Sequence, residues 1–437
     1  MNNKKWMAIL LGGIMAASLA APCSVSAAEK TTLTFWHAMG GTNGEVLQQI
    51  VDDFNASQDE IEIKAEYQGT YDDTITKLKA AMQSDSGLPD VCQMYDVGTK
   101  FMYDSGAVIP VEDKFESTGY DKSSVMEVIS SYYTVDGKQY AMPFNVSTPM
   151  LYYNKDVFEA AGLHPETPAT AYAEDAKKIV ETGAAPVGYS QAIYGWFFEQ
   201  QLAGLGVTYG NNDNGRKEAV TAVDFDSNGG GLKVFDMWKK LYDSGCFEDY
   251  GTTTADTQTA FFSGQVGMII ESTAILKNAV DSSPFEVGTG YLPRIEQNDE
   301  GGVIIGGGSL WLTDTGNEAN EDAAWKFIEY ITTPDVQAKW SMGTGYFAIN
   351  EKAYETEDMK AYLKENPNFE TAINQLKDSP VNCNTAGVLS GVQTEARLTF
   401  NEIMPQVYDG KLTTQDAVDQ LAASVNKAIE NYNESIK

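Results

Sequence analysis

Arginine is scarce in this chain of 437 residues: Arg216, Arg294 and Arg397 are the only three. A guanidinium carries a planar fork of N–H donors that matches two oxygens of a phosphate or carboxylate, a grip that lysine cannot copy. Arg216 falls in a polar stretch, Asn214-Gly215-Arg216-Lys217. Arg397 falls in Glu395-Ala396-Arg397-Leu398-Thr399-Phe400, a helix-like run with apolar neighbours. A guanidinium in such a place either grips an oxyanion or bridges to Glu395 or Glu402. Gly306-Gly307-Gly308 would let backbone N–H groups approach an oxyanion, but Gly229-Gly230-Gly231 shows that the chain also uses this pattern in loops. A different chemistry is open to Trp196, Trp311, Trp340 and Tyr153, which could stack on sugar rings or pack a core.

Catalytic chemistry has little to work with. Only two histidines occur, His37 and His164, and neither belongs to a Ser-His-Asp or Cys-His pattern. No Walker loop and no metal-ligand spacing is present. Acid pairs of the glycosidase kind abound in so acidic a chain and signal little. The formal net charge is −32, which excludes nucleic acid and anionic membrane as partners but leaves room for an anion in a shielded cleft. The residues point to binding, with no enzyme activity, no cofactor and no metal.

The elements that must position these residues read as alternating strands and helices. Residues 1–27 form an expected signal peptide: Lys4 and Lys5, an apolar run from Ile9 to Ala17, and Val25-Ser26-Ala27 as the cleavage site. A lipid anchor at Cys23 is the alternative, against which Pro22 departs from a lipobox. Cleavage leaves Cys92, Cys246 and Cys383, an odd number with no CxxC spacing, so no disulfide framework is expected; Cys92 reads as a buried small hydrophobe. Beyond the leader, Thr32 to Trp36 reads as a strand. Val46, Leu47, Ile50, Val51 and Phe54 mark an amphipathic helix, Ile61 to Tyr67 alternates as a strand, and Val91 to Tyr95 is another. The same grammar resumes after Tyr152 and closes with a long helix from Thr414 to Tyr432. A chain of this length exceeds one ordinary core and is expected to fold as two α/β lobes.

Two phrases carry more than pattern. Phe35-Trp36-His37-Ala38-Met39 follows the leader, and Pro143-Phe144-Asn145-Val146-Ser147-Thr148-Pro149 runs on through Met150-Leu151-Tyr152-Tyr153-Asn154-Lys155-Asp156. Together they resemble the extracytoplasmic solute-binding proteins of ABC importers, nearest to the branch that takes up sn-glycerol-3-phosphate. The resemblance implies a type II periplasmic-binding-protein fold, with mixed sheets, flanking helices and a hinge. It places lobe I at 28–147 and 287–342, and lobe II at 148–286 and 343–437. It also implies a location in the periplasm or on the outer face of the membrane, ABC permease subunits as partners, and a monomer. The expected ligand is glycerol-3-phosphate, with glycerophosphodiesters as a variation and an oligosaccharide as the alternative.

The resemblance also implies ligand contacts at seven positions: Tyr71, Asp96, Ser147, Ser272, Gly307, Tyr346 and Arg397. At Asp96 the family's pattern carries Glu, one methylene longer. Each position has a structural alternative, such as a helix cap for Asp96, a turn for the serines or a tight bend for Gly307.

Overall fold

The structure is a computed structural model that describes residues 30–84 and 87–436; the expected leader and Cys23 lie outside the described residues. Thirteen strands occur among them. In chain order they are β1 (Thr31–His37), β2 (Ile61–Tyr67), β3 (Val91–Tyr95), β4 (Val108–Ile109), β5 (Thr134–Val135), β6 (Lys138–Gln139) and β7 (Met142–Ser147). These are followed by β8 (Pro149–Asn154), β9 (Val187–Ser190), β10 (Phe247–Glu248), β11 (Val266–Ser272), β12 (Val287–Tyr291) and β13 (Gly306–Thr313). The first sheet runs β2-β1-β3-β13-β4, with β7 also paired to β13; the second runs β10-β9-β11-β8-β12, and β5 and β6 form a small hairpin.

Local sequence explains the elements. In β1, Leu33, Phe35 and His37 are buried while Thr31 and Thr32 are exposed, the period-two pattern of a strand. The helix Gly41–Ser57 turns Leu47, Ile50, Val51 and Phe54 onto the sheet, the spacing of one helical face. The helix Tyr71–Gln83 starts at a capping box, with Thr70 and Asp73 satisfying each other's backbone N–H groups at 3.1 and 2.9 Å. The second sheet is covered on both faces. Met268 and Ile270 of β11 pack in a core with Phe197, Phe400 and Leu421. Ile269 between them joins a core shared with Tyr152, Phe261 and the first sheet. Burial on both faces is why β11 reads as an unbroken apolar run.

Both sheets mix parallel and antiparallel pairs, with helices on their faces, as a two-lobed α/β fold requires. The chain leaves the first sheet at Ser147 and enters the second at Pro149. The two later crossings differ from the expected positions. β12 pairs with β8, so the chain returns to the first sheet between Tyr291 and Gly306 and not near 286. Residues after 342 stay with the first lobe: Phe347 donates its N–H to the Val146 carbonyl at 3.0 Å, and Asn350 bridges Val125. The chain joins the second lobe for good only at the helix Asn368–Asp378, which packs on β12. The physical reason is that a crossing is fixed by which edge takes the backbone hydrogen bonds, and Val287-Gly288-Thr289-Gly290-Tyr291 carries no side-chain signal of its partner.

Among the described residues no helix is long and apolar enough to cross a membrane. Cys92, Cys246 and Cys383 are free. Cys92 is buried in β3, and burial pushes its thiol up to about 12, so it packs as a small hydrophobe.

Candidate ligand-binding site

Polar side chains from both lobes converge on a cavity of about 260 Å³. The first lobe contributes Asp96 in the turn after β3, Ser147 at the end of β7, Gly306 and Gly307 at the start of β13, and Tyr346 after the helix Pro334–Thr344. The second lobe contributes Tyr194 and Trp196 at the start of the helix Gly195–Gly204, and Thr254 and Gln258 from the helix Thr254–Phe262. It also contributes Glu271 and Ser272 at the end of β11, and Arg397 from the helix Gln393–Tyr408. Six of the seven positions implied by the resemblance therefore line one cavity.

The seventh, Tyr71, sits one layer behind. Its hydroxyl accepts from Asn145 Nδ2 at 2.7 Å, and its ring stacks on Tyr95 with centroids 5.1 Å apart. Asn145 is held in turn by Gln93, whose Nε2 donates to Asn145 Oδ1 at 2.7 Å while its Oε1 accepts from the Ala38 backbone at 2.8 Å. This buried chain ties Tyr71 to the end of β1.

Arg397 is the best-held side chain in the site, with 6 % of its surface exposed. Its Nε and Nη2 donate to Glu199 Oε1 and Oε2, each at 2.7 Å, and Nη2 also reaches Asp96 Oδ2 at 2.8 Å. Nη1 lies 3.4 Å from the Tyr194 hydroxyl. Neither Glu395 nor Glu402 is its partner. Burial pulls its pKa down, but the Asp96 and Glu199 carboxylates outweigh this and hold it well above the usual value. Glu199 is pushed up by burial, against the pull of Arg397. The fork is thus closed on Glu199, and Nη1, held only by the long bond to Tyr194, is the nitrogen most open to a ligand. Asp96 comes from the first lobe and Arg397 from the second, so their ion pair spans the cleft. Tyr95 and Thr394 meet across it as well, with their hydroxyls 2.6 Å apart.

The glycines at the mouth of β13 have different reasons. Gly307 holds φ at +96°, and a Cβ there would collide with the Asn145 carbonyl oxygen. Gly306 lies flat against Trp196, whose Cζ2 would be 2.8 Å from any Cβ. Trp196 itself is 5 % exposed, and its Nε1 donor has no partner among the described residues. Serine roles are partly local: the Ser272 hydroxyl accepts from the Ala274 backbone at 3.2 Å and caps the turn that follows β11. Tyr346 stacks on Trp340 with centroids 5.7 Å apart and the rings 5° from parallel.

Of the four aromatics that could stack on a sugar, only Trp196 lines the cavity. Trp311 and Trp340 are core residues, and Tyr153 stacks on Phe158. His37 is buried at the end of β1, away from the cavity lining; its Nδ1 accepts from Met39, and burial lowers its pKa to about 4. Sequence reasoning missed Glu199 and Glu271. The signal was there for both: each is the lone acid of a buried element and follows an apolar run, Trp196-Phe197-Phe198-Glu199 and Met268-Ile269-Ile270-Glu271.

Two α/β lobes joined at crossings, with polar groups from both meeting in a cleft, define a binding protein that encloses a small solute. The model of the bacterial extracellular solute-binding protein family matches residues 49–371, and the chain belongs to that family. It is 30 % identical over 417 residues to the sn-glycerol-3-phosphate-binding periplasmic protein UgpB of Escherichia coli K12, covering 93 % of this chain and 94 % of that one. The UgpB of Pectobacterium atrosepticum is also 30 % identical, over 424 residues and 95 % of each chain. Among solved structures, UgpB from Mycobacterium tuberculosis in complex with glycerophosphocholine aligns with a TM-score of 0.79 at 19 % identity, over 92 % of this chain and 99 % of that one. A cyclic α-maltosyl-1,6-maltose binding protein from Arthrobacter globiformis aligns with a TM-score of 0.75 at 24 % identity, over 92 % of this chain and all of that one. The protein is thus an extracytoplasmic solute receptor of the ABC importer type, with a small-molecule ligand and a membrane permease as its partners, and not an enzyme.

Proposed function

We propose that this protein captures glycerol-3-phosphate in the interlobe cleft and delivers it to the permease. One observation carries the reading: six positions drawn from the phosphate-binding branch of the family line a single cavity around Arg397. In this proposal Arg397, Ser147, Ser272 and the Gly307 N–H hold the phosphate, while Asp96 and Tyr346 serve the glycerol end, with Tyr71 behind them. Arg397 offers Nη1 as it stands; a two-pronged grip on phosphate requires Asp96 to leave Nη2 and turn to the ligand's hydroxyls. Contacts from both lobes favour the closed state, and moving a hinge equilibrium from 1:99 to 99:1 takes about 5.5 kcal/mol of differential affinity. The protein acts as a monomer, without nucleic acid, and is exported by a cleaved leader, a lipid at Cys23 being the alternative anchor.

An oligosaccharide is the second reading. It is favoured by the charge of the site, where three carboxylates (Asp96, Glu199 and Glu271) gather around the cavity with one guanidinium, and by Trp196 on the cavity wall. Carboxylates and aromatics suit neutral hydroxyl-rich ligands. A thermal-shift panel of glycerol-3-phosphate, glycerophosphocholine, maltose and inorganic phosphate separates the two. The proposal expects the glycerol phosphate to raise the melting temperature; a shift with maltose and none with any phosphate overturns it.

A further inference from the structure

The cavity holds an acid that the capture of a phosphate does not use. Glu271 lies one residue before the end of β11, beside the helix Thr254–Phe262, and it is 4 % exposed. Its Oε1 accepts from the Ser272 N–H at 2.6 Å and its Oε2 from Gln258 Nε2 at 3.2 Å, both neutral donors. No ion pair reaches it among the described residues, and Arg397 is already committed to Asp96 and Glu199. The groups around it add no net positive charge, because the one guanidinium among them is matched by two carboxylates. From β8 comes Tyr152, whose hydroxyl donates to the Ser272 carbonyl at 2.7 Å. From the helix Thr254–Phe262 come Thr254 and Gln258, and across the cavity lie Asp96, Tyr194, Tyr346 and Arg397. An ionised carboxylate here has no counter-charge.

We propose that Glu271 sets the ligand specificity of the cleft: protonated, it admits a phosphate ester; ionised, it repels one, so capture of the ester draws one proton from solution onto the Glu271 carboxyl. This rests on the phosphate reading of the cleft. A phosphate and a carboxylate enclosed in about 260 Å³ have little water between them, and the one guanidinium present already faces two acids. Such a pair does not ionise together at modest cost; one member keeps a proton. Glu271 is placed to be that member, because burial without a partner already pushes it up to about 7. A neutral glycan asks for no such proton.

The test is calorimetric titration of glycerol-3-phosphate into the mature wild-type protein and Glu271→Gln at pH 6 and pH 8. Glutamine keeps the size and the acceptor for Ser272 but carries no charge. A receptor that must protonate a group of pKa about 7 loses affinity by a factor of 1 + 10^(pH − pKa), so the ratio of variant to wild-type affinity rises about tenfold from pH 6 to pH 8. The ligand's own ionisation is common to both proteins and cancels. In parallel, wild type at pH 8 in buffers of different ionisation enthalpy should take up about one proton per ligand. A ratio that does not move with pH, or no proton uptake, overturns the inference while leaving phosphate capture intact. A variant that binds more weakly at both pH values also overturns it, since the ionised carboxylate would then be a direct contact. Absence of binding by both proteins at pH 6 overturns the phosphate reading, and this inference with it.

Discussion

Arg397→Ala is the most informative single substitution, because the structure gives the guanidinium two jobs. It removes three charge-assisted hydrogen bonds of 2.7, 2.7 and 2.8 Å. It also strands two carboxylates, Asp96 and Glu199, that are 5 and 6 % exposed. Removing one side of a buried pair costs about 3–5 kcal/mol, since the other side stays behind without compensation. Against a typical total of about 5–15 kcal/mol, that is a large share of the stability. The loss must depend on pH. Burial raises Glu199 in the folded protein, and more so without Arg397, so the folded variant binds a proton more tightly than its unfolded chain. The deficit is therefore full above the folded-state pKa and fades as pH falls towards the unfolded value of about 4.3. Urea titrations followed by circular dichroism, on wild type and variant at pH 8 and pH 5, should show a loss of about 3–5 kcal/mol at pH 8 that is smaller at pH 5. A loss below about 1 kcal/mol, or one equal at both pH values, would refute the stranded-charge argument. Binding of glycerol-3-phosphate should be lost in the same variant, and Arg397→Lys should recover only part of it, because an ammonium cannot span both oxygens of Glu199 or of a phosphate.

Gly307→Ala should lower the melting temperature by several degrees and abolish ligand binding, since a Cβ there meets the Asn145 carbonyl as well as the strain of φ +96°. Gly229→Ala, at φ +80° with nothing within 4 Å of the added carbon, should cost only about 1 kcal/mol, and equal effects at the two sites would contradict the steric argument. His37, lowered to about 4 by burial, makes the unfolded chain the better proton binder. Its share of stability is present above the unfolded value of about 6.5 and is lost as pH falls to about 4. Replacing it with glutamine should flatten that acid-side decline in urea titrations, and an unchanged slope would show that other groups carry it.

Periodicity made much of the fold legible. Leu47, Ile50, Val51 and Phe54 announced the helix Gly41–Ser57, and Val418, Leu421, Val425 and Ile429 announced the closing helix Thr414–Ser435. The short helices between Asp96 and Tyr133 left no such trace, because three to seven residues are too few to show a period. The later lobe crossings were hidden for a different reason, since backbone hydrogen bonds choose the partner of β12 and side chains do not report them. In the site, Arg397 stood out by its scarcity, yet its partners lie 301 and 198 residues away in sequence, at Asp96 and Glu199. Local spacing offered Glu395 and Glu402 instead. No one-dimensional pattern can pair residues that only the closure of two lobes brings together. Glu271 was visible as an acid at the end of an apolar strand, but its lack of a cation is a property of the folded cavity alone.

The central claim is that the cleft around Arg397 captures a glycerol phosphate. Calorimetric titration of the mature protein with glycerol-3-phosphate, beside a maltodextrin, tests it most directly. The account predicts one site per chain for glycerol-3-phosphate, with micromolar or tighter affinity, about −8 kcal/mol or better, and no heat with the maltodextrin. Saturable binding of the maltodextrin with none of glycerol-3-phosphate would contradict it.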